Sequence, residues 1–82
     1  RRIIKMALIL SNKITKISKN SRVQKETECT YNVFHVNETK YIQFDTYGTP
    51  ERKSESKSSQ TIQFDKETAK YIIEILKNEF DL

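Results

Sequence analysis

The chain has one cysteine, one histidine, one glycine, one proline and no tryptophan in 82 residues, and each scarcity removes a class of protein. Cys29 alone cannot form an internal disulfide, so a scaffold held by cross-links is excluded. Cys29 and His35 together fall short of the four Cys/His ligands of a structural zinc site. Gly48 alone cannot supply a glycine-rich loop that cradles phosphates. No run approaches the ~20 apolar residues that cross a bilayer, so no membrane partner is expected. Arg1 to Leu10 is basic and then apolar, but Lys5 interrupts it and Ser11-Asn12-Lys13 lacks a small-residue cleavage site, which speaks against a signal peptide. Met6 is a candidate natural start, which would leave residues 1–5 as an appendage. The missing disulfide framework fits a reducing, cytoplasmic setting.

Length imposes the next limit. A chain of 82 residues is one domain near the lower limit for an unaided core. At this size apolar burial and ordering entropy nearly cancel. Without a disulfide or a metal, self-association is the remaining support. Four Tyr and four Phe beside so little Gly and Pro indicate an ordered fold.

No catalytic constellation is visible. His35 lacks a spaced Ser or Cys partner, Cys29 reads as a passive thiol, and Asp65 is accounted for as a helix cap. A deep pocket is hard to enclose in so small a domain. A non-enzymatic protein without a cofactor is expected.

Charge is present and uneven. The net charge is +4, yet residues 1–25 hold eight Lys/Arg and no acid, while residues 26–82 hold seven bases and eleven acids. A basic arm, residues 1–27, therefore precedes a mildly acidic body, residues 28–82. Such asymmetry suggests a polyanionic partner for the arm, or else a solubilising lysine-rich tail. Within the arm Lys13, Lys16, Lys19, Arg22 and Lys25 recur every third residue. In an extended three-residue-per-turn chain they would share one edge, as suits a phosphate backbone. Coincidence in a Lys/Ser-rich stretch is the other reading.

The body reads as strands and then a helix. Residues 6–10 are a short apolar run, either strand or buried helical turn. Residues 31–36 are β-branched and aromatic, Asn37-Glu38 reads as a turn, and residues 40–47 alternate as the clearest strand. There Ile42 and Phe44 would face a core. A polar loop follows over residues 48–59. Residues 61–65 then repeat the Ile-Gln-Phe-Asp of residues 42–45, which places Ile62 and Phe64 beside Ile42 and Phe44 in one sheet. Asp65 is a suitable N-cap and Glu67 suits the first turn. Ala69, Ile72, Ile73, Leu76 and Phe80 form the stripe expected to be buried over the sheet. Tyr71 and Ile75 widen it, either deeper into the chain's own sheet or as a dimer interface. The expected fold is α+β: a curved antiparallel β-sheet of about four strands followed by one C-terminal amphipathic helix.

The sheet face away from the helix is expected to show Tyr31, Tyr41, Gln43, Tyr47 and Gln63. Unpaired bases stack on such rings and amides reach base edges. Arg52, Lys53 and Lys57 in the loop, with the arm lysines, would meet phosphates. The competing account is a solvated face whose tyrosines pack across strands.

The order strand, turn, strand, basic loop, strand, helix over residues 30–80 resembles the transcriptional positive cofactor four family of single-stranded-DNA binders. The resemblance is carried by Tyr41-Ile42-Gln43-Phe44-Asp45-Thr46-Tyr47, by Arg52-Lys53, and by Ser59-Gln60-Thr61-Ile62-Gln63-Phe64-Asp65. It implies a curved antiparallel sheet, a helix-mediated homodimer, and unpaired DNA bound along the strands and basic loop. Where that family often carries a base-contacting arginine, this chain has Asp45. Gly48 stands in place of a terminal aromatic, with Tyr47 one position earlier as the substitute ring. The segment is also similar to short bacterial proteins labelled formyltransferase-like, although a folate site exceeds what this chain can build. The expectation is a dimeric single-stranded DNA or RNA binder serving transcription or DNA metabolism. The alternative is an accessory module docked on a larger protein partner.

Overall fold

The computed structural model describes residues 5–48 and 60–82. In chain order it contains β1 (Lys5–Leu8), a single 3₁₀ turn (Ser11–Lys13), β2 (Cys29–Val36), β3 (Thr39–Thr46), β4 (Gln60–Asp65) and α1 (Lys66–Phe80). The strands form one four-stranded sheet in the order β1-β4-β3-β2. The α+β architecture with a closing helix is as expected.

One pairing differs from expectation. β2–β3 and β3–β4 are antiparallel, but β1 runs parallel to β4, so the sheet is mixed. Parallel neighbours need a long crossover, and here the whole of β2 and β3 lies between them. The short apolar run at residues 6–10 thus contributes an edge strand, and residues 5–8 belong to the sheet rather than to a free arm.

The β2–β3 turn sets which side chains share a face. Asn37 and Glu38 both take positive φ, 51° and 70°, as a primed two-residue hairpin requires to match strand twist. Val36 then faces Thr39, and counting outward puts Tyr31 opposite Phe44. Odd residues of β2 therefore share a side with even residues of β3. β3 and β4 pair like with like, Ile42 with Phe64 and Phe44 with Ile62. One side carries Tyr31, Val33, Ile42, Phe44, Ile62 and Phe64. The rings of Tyr31 and Phe44 lie 5.9 Å apart, and those of Phe44 and Phe64 6.0 Å, a spacing favourable for aromatic pairs.

Asp65 ends β4 and begins α1 without a connecting loop. Its backbone is extended and its side chain accepts a hydrogen bond from the Thr68 amide at 3.1 Å, satisfying one of the helix's orphan donors. At the other end Asp81 adopts the left-handed conformation and the Leu82 amide closes back on the Lys77 carbonyl. Between the caps the helix meets β1 through a buried residue. Thr68, only 1% exposed, donates its hydroxyl to the Ile9 carbonyl at 3.1 Å, and the Ile9 amide donates to the Gln63 carbonyl at 2.9 Å. Thr68→Val keeps the shape and removes the donor. It should lower unfolding free energy by about 0.5–1.5 kcal/mol, the net worth of one hydrogen bond to a half-buried acceptor; a denaturant midpoint equal to wild type would contradict this.

The helix is not a flush lid. Ala69 and Ile72 share open recesses with Phe64 and its neighbours on the apolar sheet side. The rest of the expected buried stripe is exposed: Ile73 53%, Leu76 41%, Phe80 69%. Among the described residues Phe64, at 9%, is the buried apolar side chain. Ala69 and Ile72 both lie in the first two turns of the helix. Tyr71 and Ile75, expected either deeper in the chain's own sheet or at a dimer contact, line a recess with Ile14, Thr15, Lys16 and Ile17 of the same chain. Lys16 Nζ meets Glu79 Oε2 at 2.9 Å across that recess, an exposed pair worth roughly 0–1 kcal/mol.

Candidate nucleic-acid interface

The polar side of the sheet is built in rows by the same register. The row nearest the hairpin holds Phe34, Tyr41 and Asp65; the next Asn32, Gln43 and Gln63; the next Thr30, Asp45 and Thr61. Tyr47 follows at the exit of β3, and Met6 and Leu8 of β1 continue the side past Thr61 and Gln63.

Hydrogen bonds link these rows. Gln63 Nε2 donates to Gln43 Oε1 at 2.8 Å, and Gln43 Nε2 donates to the Asp45 carboxylate at 3.1 and 3.2 Å. The Thr61 hydroxyl also donates to Asp45 Oδ1, and Thr61 is 3% exposed. An amide relay thus runs across β4 and β3 and ends on a carboxylate that Thr61, its cross-strand neighbour, also holds. The Tyr47 hydroxyl is hydrogen-bonded to the Thr30 hydroxyl at 2.9 Å, which tethers its ring toward β2. At the opposite end the Phe34 and Tyr41 rings are stacked, with centroids 5.6 Å apart and planes at 24°.

Tyr41, Gln43, Tyr47 and Gln63 therefore come together as the alternation implied. Tyr31 does not join them. It lies on the apolar side against Phe44, because the two-residue turn inverts parity between β2 and β3. Phe34 and Asn32 take the places it was expected to fill. The signal for this was present: a two-residue Asn37-Glu38 turn pairs residues whose numbers sum to an odd value.

The basic residues divide. Lys13 ends the 3₁₀ turn and Lys16 pairs with Glu79. Lys19, Arg22 and Lys25 are exposed on a stretch without regular structure. Lys25, with Gln24 and Thr27, lines a recess with Thr46, Gly48 and Gln60. Thr46 and Gln60 are register partners on the apolar side of the sheet, so this recess lies at the loop end of the sheet and not on the polar face. Arg52, Lys53 and Lys57 lie outside the described residues.

His35 and Cys29 are exposed on β2. Among the described residues no group of three His, Cys, Asp or Glu is placed to hold a metal ion, and no helix is long and apolar enough to cross a membrane. The chain matches no family model, no curated protein and no solved structure in the three comparisons made.

Proposed function

We propose that this protein binds single-stranded nucleic acid without catalysing a reaction, and does so as a homodimer. The observation that carries the reading is the polar sheet face, where the Phe34–Tyr41 stack, the Asn32/Gln43/Gln63 amide row and Tyr47 lie in sequence, in a chain whose arm exposes Lys19, Arg22 and Lys25. Rings offer stacking to any base, amides offer edge contacts, and Lys19, Arg22 and Lys25 offer phosphate neutralisation. The resemblance to the positive cofactor four family points to the same ligand. The dimer belongs to the opposite side. Ile73, Leu76 and Phe80, with Tyr31, Val33 and Ile62, form an apolar surface on one side of the molecule, and so thin a core gains from covering it. A second copy presents the same surface, which an isologous contact requires.

A labelled mixed-sequence 20-mer titrated at two salt concentrations tests the reading. Binding should weaken as salt rises. The combined variant Lys19→Gln, Arg22→Gln, Lys25→Gln should reduce the log–log salt slope by about 2, at roughly 0.7 per neutralised phosphate. Deleting the whole arm is the wrong test, because β1 and the Ile9 contacts would go with it. No binding at low salt, or binding insensitive to salt, would refute the proposal.

A further inference from the structure

We infer that two copies join by antiparallel pairing of their β2 edges, with Asn32 of one facing Asn32 of the other, so that two four-stranded sheets become one; this rests on the homodimer proposed above. β2 ends the strand order, so one side of its backbone meets no other strand among the described residues. The hairpin determines which groups are left over. Its two-residue primed turn makes Val36 and Thr39 a hydrogen-bonded pair, and such pairs recur at every second residue. Phe34, Asn32 and Thr30 therefore turn their N–H and C=O groups toward β3. Cys29, Tyr31, Val33 and His35 turn theirs outward. The same alternation carried across β3 turns Gln63 toward β1, where the Ile9 amide donates to the Gln63 carbonyl at 2.9 Å.

An open edge is a template for another strand unless something blocks it. Cys29–Val36 contains no Lys, Arg, Asp, Glu or Pro, and its eight residues pair one-to-one with β3, without a bulge. The other edge is guarded by comparison: β1 has four residues and begins with Lys5. The apolar side of the sheet runs out to the β2 edge, where Tyr31 is 67% and Val33 47% exposed. That is the surface already assigned to the dimer. A strand added here must continue it with apolar residues in the same alternation, and a second β2 does so.

Symmetry then restricts the register. A two-fold axis joining antiparallel edges stands perpendicular to the sheet and maps each face onto itself. Residues that face each other project to one side, so odd positions of β2 must meet odd positions and even must meet even. Setting Tyr31 against Val33 places an aromatic ring on a β-branched side chain, a favourable cross-strand pair, and it does so twice. It also sets Asn32 against itself. Moving the axis to Val33 would set Asn32 against Phe34 instead, and moving it to Tyr31 would leave residues 34–36 without partners. With Asn32 at the axis, the Asn32/Gln43/Gln63 row of one copy runs on into the same row of the other. The polar faces thus become one surface. The apolar sides of both copies, Tyr31 and Val33 included, share the opposite side.

Residue-resolved hydrogen exchange on the wild-type protein, with molar mass by light scattering on the same sample, tests this. In the dimer the outward amides of Tyr31 and Val33 should exchange at least about tenfold more slowly than unstructured chain. Disulfide trapping with oxidised glutathione reads the register. In a Cys29→Ser background, Asn32→Cys should give a covalent dimer, because facing residues of a non-hydrogen-bonded pair have Cα atoms about 4.5 Å apart, within disulfide reach. Thr30→Cys, on the same face, should stay unlinked, since its two copies would be offset by about 13 Å along the strands. A wild-type dimer whose Tyr31 and Val33 amides exchange like unstructured chain would overturn the inference and leave the homodimer standing. A dimeric Asn32→Cys protein that does not link, or Thr30→Cys linking as readily, would overturn it as well. A wild-type monomer would remove the homodimer and this inference together.

Discussion

Leu76→Glu is expected to convert the proposed homodimer to monomers while leaving the helix intact. Leu76 is already 41% exposed in the single chain, so a glutamate there can turn its carboxylate to water. In a dimer closed through this surface the same carboxylate enters an apolar contact twice, once from each copy. Losing the remaining burial of two leucines removes roughly 1–2.5 kcal/mol, and two carboxylates must also be desolvated, which together weaken association about 10-fold or more. Light scattering at tens of micromolar should show the monomer mass, with helical circular dichroism unchanged. Ile75→Glu separates the two faces of α1. Ile75 lines the recess that holds residues 14–17, so the change should loosen the arm and spare the dimer. A Leu76→Glu protein with the dimer mass, or an Ile75→Glu protein that alone dissociates, would show that the interface lies elsewhere. A wild-type monomer would shift the reading toward a different protein partner on that surface.

Phe64→Ala should give the largest loss of stability. Phe64 lies between Phe44, at 6.0 Å between rings, and the Ala69–Ile72 side of the helix. It is the one apolar side chain buried to 9% exposure among the described residues. Truncating a buried phenylalanine costs about 3–5 kcal/mol, against a total of roughly 5–15 kcal/mol for folded proteins, with short chains at the lower end. At about 4–8 °C per kcal/mol for a domain this size, the thermal midpoint should drop by at least about 12 °C. Ile62→Ala is the control. With Ile62 39% exposed, its truncation in the monomer should cost clearly less. A Phe64→Ala melt within a few degrees of wild type would mean that the stability resides outside this cluster.

The legible parts of the sequence were those governed by neighbours along the chain. Asp65 and the apolar spacing that follows determined the helix and its start, because capping and the 3.6-residue period act within one turn. The alternation of residues 40–47 and its repeat at residues 61–65 determined which side chains of β3 and β4 share a face. Together they implied Tyr41, Gln43, Tyr47 and Gln63 as one surface. Tertiary structure decided what depends on relations between elements. The parity set by the Asn37-Glu38 turn moved Tyr31 to the apolar side and brought in Phe34 and Asn32. The open edge of β4 took residues 5–8 as a parallel strand, which no local pattern in four residues announces. Helical periodicity identifies an apolar stripe but not what covers it. Ile73, Leu76 and Phe80 stay uncovered in the single chain, while residues 14–17 line a recess with Tyr71 and Ile75. Asp45 shows the same division: its place on the strand is written in the alternation, while the Thr61 hydroxyl that anchors it and the Gln63 amide that holds Gln43 both come from β4 beside it.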